Sequence, residues 1–209
     1  MVANIQTKSI ELSLLLSIPA SLGLILASEE IVNALFGYGS FSKEDVRLTA
    51  FALKYFGYGV PAFALVKILS NFFFARGNTK TPFYVSIIMV LINISISVSL
   101  FSSLVFIIIP IATSIATWIG VLIYIYLLNQ KNFLLLNVEL IPNFLKILAS
   151  TIIMSFILVL ALNNYISYLD YSYKFKAIYL LLIVGFAGIV YLLFCYLFGI
   201  LKIKNYKTN

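Results

Sequence analysis

The sequence predicts an all-α membrane protein with six transmembrane helices, and three observations carry that reading. Six apolar stretches fill most of the 209 residues: approximately Leu12–Phe36, Val46–Ala75, Phe83–Phe101, Leu104–Leu128, Phe144–Leu162 and Ala177–Leu201. Each reaches or passes the ~18–20 residues that a helix needs to cross a hydrocarbon core. Second, the apolar residues run continuously and do not alternate with period two, as a β-barrel strand would. Third, charged residues make up 10% of the chain and hydrophobic ones 63%, with a mean hydropathy of +1.09. A soluble domain carries about 25% charged residues. Backbone amides must find partners inside lipid, so the stretches read as helices.

The first run begins after a polar start, Met1 to Glu11. It is too long for a signal-peptide core and has no small-residue cleavage pattern, so no cleavable leader is expected. The segment Gly37 to Asp45 follows. Its glycines permit a tight turn, and Ser42 three residues before Asp45 resembles a capping box that starts the second helix. The second helix ends in Ala75-Arg76-Gly77-Asn78-Thr79-Lys80-Thr81-Pro82, which places a proline in the first turn of the third helix. The Gly-Asn-Thr-Lys-Thr string lacks phosphate-loop spacing and follows a helix, so it is not read as a nucleotide site.

Composition also excludes function classes. The net charge of +7 is spread over loops and tail rather than gathered on one face, so no nucleic-acid partner is expected. There is no histidine, and the one cysteine, Cys195, lies in the last apolar run. That removes an intrachain disulfide and any Cys/His zinc site, and Cys195 reads as a small buried hydrophobe. Without a histidine, an in-membrane carboxylate or a nucleophile–base pair, no enzyme is expected.

Alternating helices sort the loops into two sets. One holds Lys8, Arg76, Lys80, Lys131, Lys146, Lys202, Lys204 and Lys207; the other holds Lys43, Arg47, Lys174 and Lys176. Glu29, Glu30, Glu44, Asp45 and Asp170 accompany the poorer set. The positive-inside rule then places both termini in the cytoplasm.

Two charges fall inside apolar runs, Lys54 and Lys67. A lysine at the bilayer centre costs about 2.5–3.5 kcal/mol on insertion scales, so it faces a cavity or a partner. Lys54, near its helix start, can snorkel to the interface. Lys67 lies roughly 13 Å along the axis from Arg76, too deep for easy escape. Ser70 and Asn71 follow it at i+3 and i+4 on the same face. Lys67, Asn71, Ser70 and Lys54 are therefore the candidates for a polar cavity. Gly59 and Pro61 are the candidates for helix bending. Asn93, Ser97 and Thr113 could offer oxygens to a cation, but hydroxyls in membrane helices more often bond their own backbone or join helices, and no carboxylate accompanies them. Pro110 is expected to free a carbonyl in the fourth helix.

The residues also carry a family resemblance. Ile18-Pro19-Ala20-Ser21-Leu22-Gly23-Leu24, Ile31 to Asp45, Gly59-Val60-Pro61-Ala62-Phe63-Ala64-Leu65-Val66-Lys67-Ile68-Leu69, Phe74 to Pro82, and Ala112-Thr113-Ser114 with Trp118 resemble the MviN/MurJ lipid II flippases. The resemblance implies part of a two-lobed MATE-like transporter fold, covering only the last six of about fourteen helices. It implies residues 1–130 as a four-helix part of the second lobe and residues 131–209 as a final helix pair with a cytoplasmic tail. It implies a bacterial inner-membrane location, alternating access, and a polyprenyl-pyrophosphate-linked peptidoglycan precursor as cargo. No cofactor is expected; Na⁺, H⁺ and the membrane potential are the alternatives for coupling. The first lobe's arginine-rich cavity has no counterpart here, since Arg47 and Arg76 both stand at helix ends. The chain then reads as a truncated product, as one half of a split gene whose partner is a separately encoded N-terminal half, or as a fragment of the natural protein, with membrane lipid as a partner in each case. The competing readings are a polysaccharide or drug exporter of the same superfamily, and a truncated relic or assembly subunit that transports nothing.

Overall fold

The computed structural model describes residues 2–201, apart from the side chains of residues 103–105. Among these residues the secondary structure is entirely helical: α1 (Val2–Leu26), α2 (Ser28–Phe36), α3 (Lys43–Phe74), α4 (Lys80–Leu104), α5 (Ile108–Gln130), α6 (Leu140–Asn164) and α7 (Lys176–Leu197). Six of them, all but α2, are long and apolar enough to cross a membrane. The tail lysines Lys202, Lys204 and Lys207 lie outside the described residues.

The expected helix starts hold where they rest on capping chemistry. The Ser42 hydroxyl accepts from the Asp45 amide at 3.2 Å, and the Asp45 carboxylate accepts from the Ser42 amide at 2.9 Å. This reciprocal pair satisfies two N–H groups that α3 leaves free. Gly77 takes φ +69° and turns the chain after α3, and the Asn78 side chain accepts from the Thr81 amide at 3.1 Å to start α4. Pro82 falls in the first turn, where its missing N–H removes no helical bond.

Two expectations need correction. The first apolar run is not one helix starting at Leu12. α1 already begins at Val2, and the path bends at Ala27, which leaves helical geometry (φ −109°, ψ 22°) before α2 resumes. Bonds from Ala27 to Gly23 and from Ile31 to Ala27 carry the ladder through, so the joint is an elbow and not a break. The polar start is helical because its side chains meet the α5–α6 connection: the Gln6 amide donates to the Phe133 carbonyl at 2.9 Å, and Thr7 accepts from the Asn137 amide at 2.9 Å. The second correction is Pro110. It sits in the first turn of α5, where N–H groups have no intrahelical partner anyway, so it orphans no carbonyl within that helix.

α1, α3 and α5 form the centre: α1 packs on α3 and α3 on α5, with α4 laid outside α5. α6 packs on α1, α7 on α6, and α2 reaches both α3 and α7. Close approach needs small residues. A Cβ on Gly59 would stand 2.6 Å from the Ser114 hydroxyl of α5, and one on Gly57 would stand 2.8 Å from Ile25 of α1. Along α4, by contrast, Pro82 and Val85 are the buried positions among the described side chains.

The interior prolines are handled in parallel ways. Pro19 has no N–H for the carbonyl of Leu15, and the Tyr191 hydroxyl of α7 donates to that carbonyl at 2.7 Å. Pro61 likewise frees the carbonyl of Gly57, and the Ser21 hydroxyl of α1 donates to it at 2.7 Å. Each freed carbonyl is thus bonded from a neighbouring helix, because an unpaired carbonyl in lipid is costly. Replacing Tyr191 with Phe should lower stability by about 1 kcal/mol, the size of an interhelical hydrogen bond in membranes. Adding Pro19→Ala, which restores the N–H, should recover most of the loss. Equilibrium unfolding of the two single variants and the double in mild denaturing detergent checks this, and additive losses would contradict it.

Candidate functional site

Lys67 projects from the C-terminal third of α3 on a stripe with Phe56, Phe63, Asn71 and Phe74, all of them exposed. These positions lie within one face at about 100° per residue. The opposite side of α3 is buried through Ala62, Leu69, Phe72 and Phe73. A lysine about two turns inside the C-terminal end of a membrane-length helix, and an asparagine one turn nearer that end, therefore stand on a face that none of the other described helices covers. Ser70 is half-buried, and its hydroxyl donates back to the Lys67 carbonyl at 3.0 Å, so it is spent locally.

Lys54 is not part of this arrangement. Thirteen residues of helix set it about 140° round from Lys67, and it is half-buried nearer the Ser42 end. The structure joins Asn93 and Thr113: the asparagine amide donates to the threonine hydroxyl at 2.8 Å, and that hydroxyl donates to the Ile109 carbonyl at 2.7 Å. These groups tie α4 to α5. Ser97 lies one turn further along α4 with its hydroxyl unpartnered. Among the described residues no cluster of three His, Cys, Asp or Glu side chains has metal-site geometry. Gly59 and Pro61 lie inside the continuous helix α3, Gly59 closed against Ser114, whose hydroxyl donates to the Tyr55 carbonyl at 2.7 Å. The Trp118 indole donates to the Tyr58 carbonyl at 3.0 Å, so α5 bonds this part of α3 at two positions.

Polar groups gather at both ends of the bundle. At the Lys8 end, Arg76 donates to the Phe72 and Phe133 carbonyls at 2.7 and 3.1 Å and stacks over the Phe133 ring at 4.4 Å. With Gln6 and Thr7 it clasps α1, α3 and the 133–137 segment together. At the other end a cleft of about 330 Å³ opens between Glu29, Glu30, Lys43 and Asp170. Burial raises the Glu30 carboxyl above its ordinary range, while the Ser172 hydroxyl holds Asp170 below it. Behind this cleft lies a residue that the sequence reading counted as a loop cation, Lys176, which is fully buried. One signal was available: a lysine in the first turn of α7 opposes that helix's dipole, so something else must compensate it.

The comparisons with known proteins bear on this fold directly. The family model for lipid II flippase MurJ matches residues 1–181. The chain belongs to the MurJ lipid II flippase family. A probable lipid II flippase MurJ from Rickettsia prowazekii is 37% identical over 215 residues, which cover 99% of this chain and 40% of that protein. One from Rhizobium meliloti is 40% identical over 121 residues, 58% of this chain and 23% of that protein. A solved structure of lipid II flippase MurJ in an inward closed conformation superposes with a TM-score of 0.76 at 27% identity, covering 94% of this chain and 39% of that one. The chain thus spans about 40% of the length of such relatives. With six membrane-length helices, this MurJ-family chain is a multi-pass inner-membrane protein.

Proposed function

We propose that the chain supplies the C-terminal part of a lipid II flippase that acts by alternating access in cell-wall biosynthesis. The observation that carries this reading is the uncovered α3 stripe, with Lys67 about two turns inside a membrane-length helix and Asn71 one turn nearer its end. A lysine left in hydrocarbon is costly, so this face belongs against a hydrated path. A pyrophosphate-linked sugar head group needs positive potential along such a path, while its polyprenyl tail stays in lipid. Residues 1–130 form the wall of that path and its bend at Gly59 and Pro61, and residues 131–209 add the final helix pair. The remaining length seen in the relatives supplies the facing wall, on the same polypeptide or on a separate one. Photo-reactive lipid II tests the reading: it should label this chain at the α3 stripe when the facing lobe is present, and excess unlabelled lipid II should compete. Labelling that is not competed would remove lipid II as the cargo and favour the exporter alternative. Coupling to Na⁺, H⁺ or the membrane potential is an open part of this proposal, with Asn93, Ser97 and Thr113 as the oxygens to mutate in a cation-dependence assay.

The same proposal places both termini in the cytoplasm. Lys176 is withdrawn into the protein, which leaves Lys43, Arg47 and Lys174 as the exposed cations of the α2 end. That deepens the asymmetry on which the orientation rests. With Cys195 replaced, a cysteine at Ser42 should react with an impermeant maleimide added to intact cells, and a cysteine at Lys131 should not. The reverse pattern would invert the topology.

A further inference from the structure

Among the described residues Lys176 is the one charged side chain that is buried. Its ammonium donates to Asn33 Oδ1 at 3.0 Å, to the Gly37 carbonyl at 2.6 Å and to the Tyr171 carbonyl at 2.8 Å. All three of its donors are thereby used. The rings of Tyr38 and Tyr171 stand 4.1 and 4.7 Å from the nitrogen, presenting the faces that attract a cation. No carboxylate of the described residues pairs with it. The charge is held instead by neutral oxygens, two of them at the C-terminal end of α2, the negative end of that helix's dipole.

The partners come from separate pieces of chain. Asn33 and Gly37 belong to α2 and its end, Tyr38 to the turn after it, and Tyr171 to the α6–α7 connection. Asn33 also donates to the Leu169 carbonyl at 2.7 Å, and the Tyr171 hydroxyl donates to the Phe41 carbonyl. A buried apolar side chain would join these pieces at least as firmly, since a buried cation loses its hydration. What a cation adds is a joint that water can take over, and the cleft lined by Asn33, Leu169 and Tyr171 brings solvent to its edge.

We infer that Lys176 is a positioning residue, a hydratable latch that holds the C-terminal end of α2 onto the α6–α7 connection. Its part in transport rests on the flippase reading; the latch itself does not. Leu169 serves as reporter, because it is 5% exposed and contributes only its backbone carbonyl to the network.

The test uses the full chain in nanodiscs, with Cys195→Ser and Leu169→Cys, and follows modification by a maleimide. Lys176→Ala and Lys176→Met should each speed labelling roughly 10- to 100-fold, the weight of one or two charge-assisted hydrogen bonds. Propylammonium, which replaces the atoms the alanine variant lacks, should restore protection in Lys176→Ala and not in Lys176→Met. Tetramethylammonium, a cation without N–H donors, should restore it in neither. Unchanged labelling in both variants overturns the latch, as does equal rescue by the two ammonium ions. A version retaining Cys195, which is fully buried, reports global unfolding. If Lys176→Ala exposes it, Lys176→Met and Asn33→Ala decide by the same labelling criterion. A transporter that flips no lipid II would sink the flippase reading and leave these results standing.

Discussion

Lys67→Met in the complete transporter should cut lipid II flipping by at least an order of magnitude while leaving membrane insertion unchanged. The stem of methionine fills the same volume, so helix packing is kept and the charge alone is lost. The exposed stripe predicts this outcome, because Lys67 makes no side-chain hydrogen bond or ion pair among the described residues and has no packing role to lose. Removing it therefore alters only the potential that a passing pyrophosphate meets. One favourable charge contact is worth about 1.5–3 kcal/mol, which corresponds to roughly 10- to 100-fold in rate or affinity. Lys67→Arg should retain most activity, whereas Lys54→Met should change flipping less than twofold, since Lys54 lies on another face of α3. Accumulation of lipid-linked precursor in cells, beside protein level in membranes, measures both effects. Full activity in Lys67→Met would remove the central site residue.

The sequence showed much of the fold because the strongest constraint, satisfying the backbone in lipid, is local and is written in run length. Capping at Ser42 and the turn at Gly77 were legible for the same reason: each involves residues three or four apart. The elbow at Ala27 was not legible, since nothing at that position breaks a helix, and the bend follows from α2 packing on α3 and α7. The helical packing of the polar start was not legible because its partners, Phe133, Leu135 and Asn137, lie about 130 positions away. The prolines announced the carbonyls they free, but the hydroxyls that fill them, Ser21 and Tyr191, are unexceptional residues in apolar runs. Lys67 stood out by depth alone, and only the structure shows that its face is left uncovered by the described helices. Lys176 was hidden by its place beside a loop. Only the fold brings α2's end and Tyr171 around it.

The other large effect concerns the chain by itself. It should insert stably, because its six membrane-length helices satisfy their own backbones and their proline-freed carbonyls internally. It should not flip lipid II. The stripe carrying Lys67 and Asn71 opens away from the bundle, so a charged head group following it would have lipid on its other side. The arginines are also placed wrongly for a pyrophosphate: Arg47 is exposed near the start of α3, with its guanidinium 3.0 Å from Glu44, and Arg76 follows the end of that helix and is spent on carbonyls.

Complementation of a flippase-depleted bacterium measures this most directly, with three inputs: this chain alone, the remaining part of a close relative alone, and both expressed as separate polypeptides. The account predicts growth and normal cell shape with the pair and lysis with either part. Growth supported by this chain alone would contradict it, because six helices would then suffice to shelter the head group.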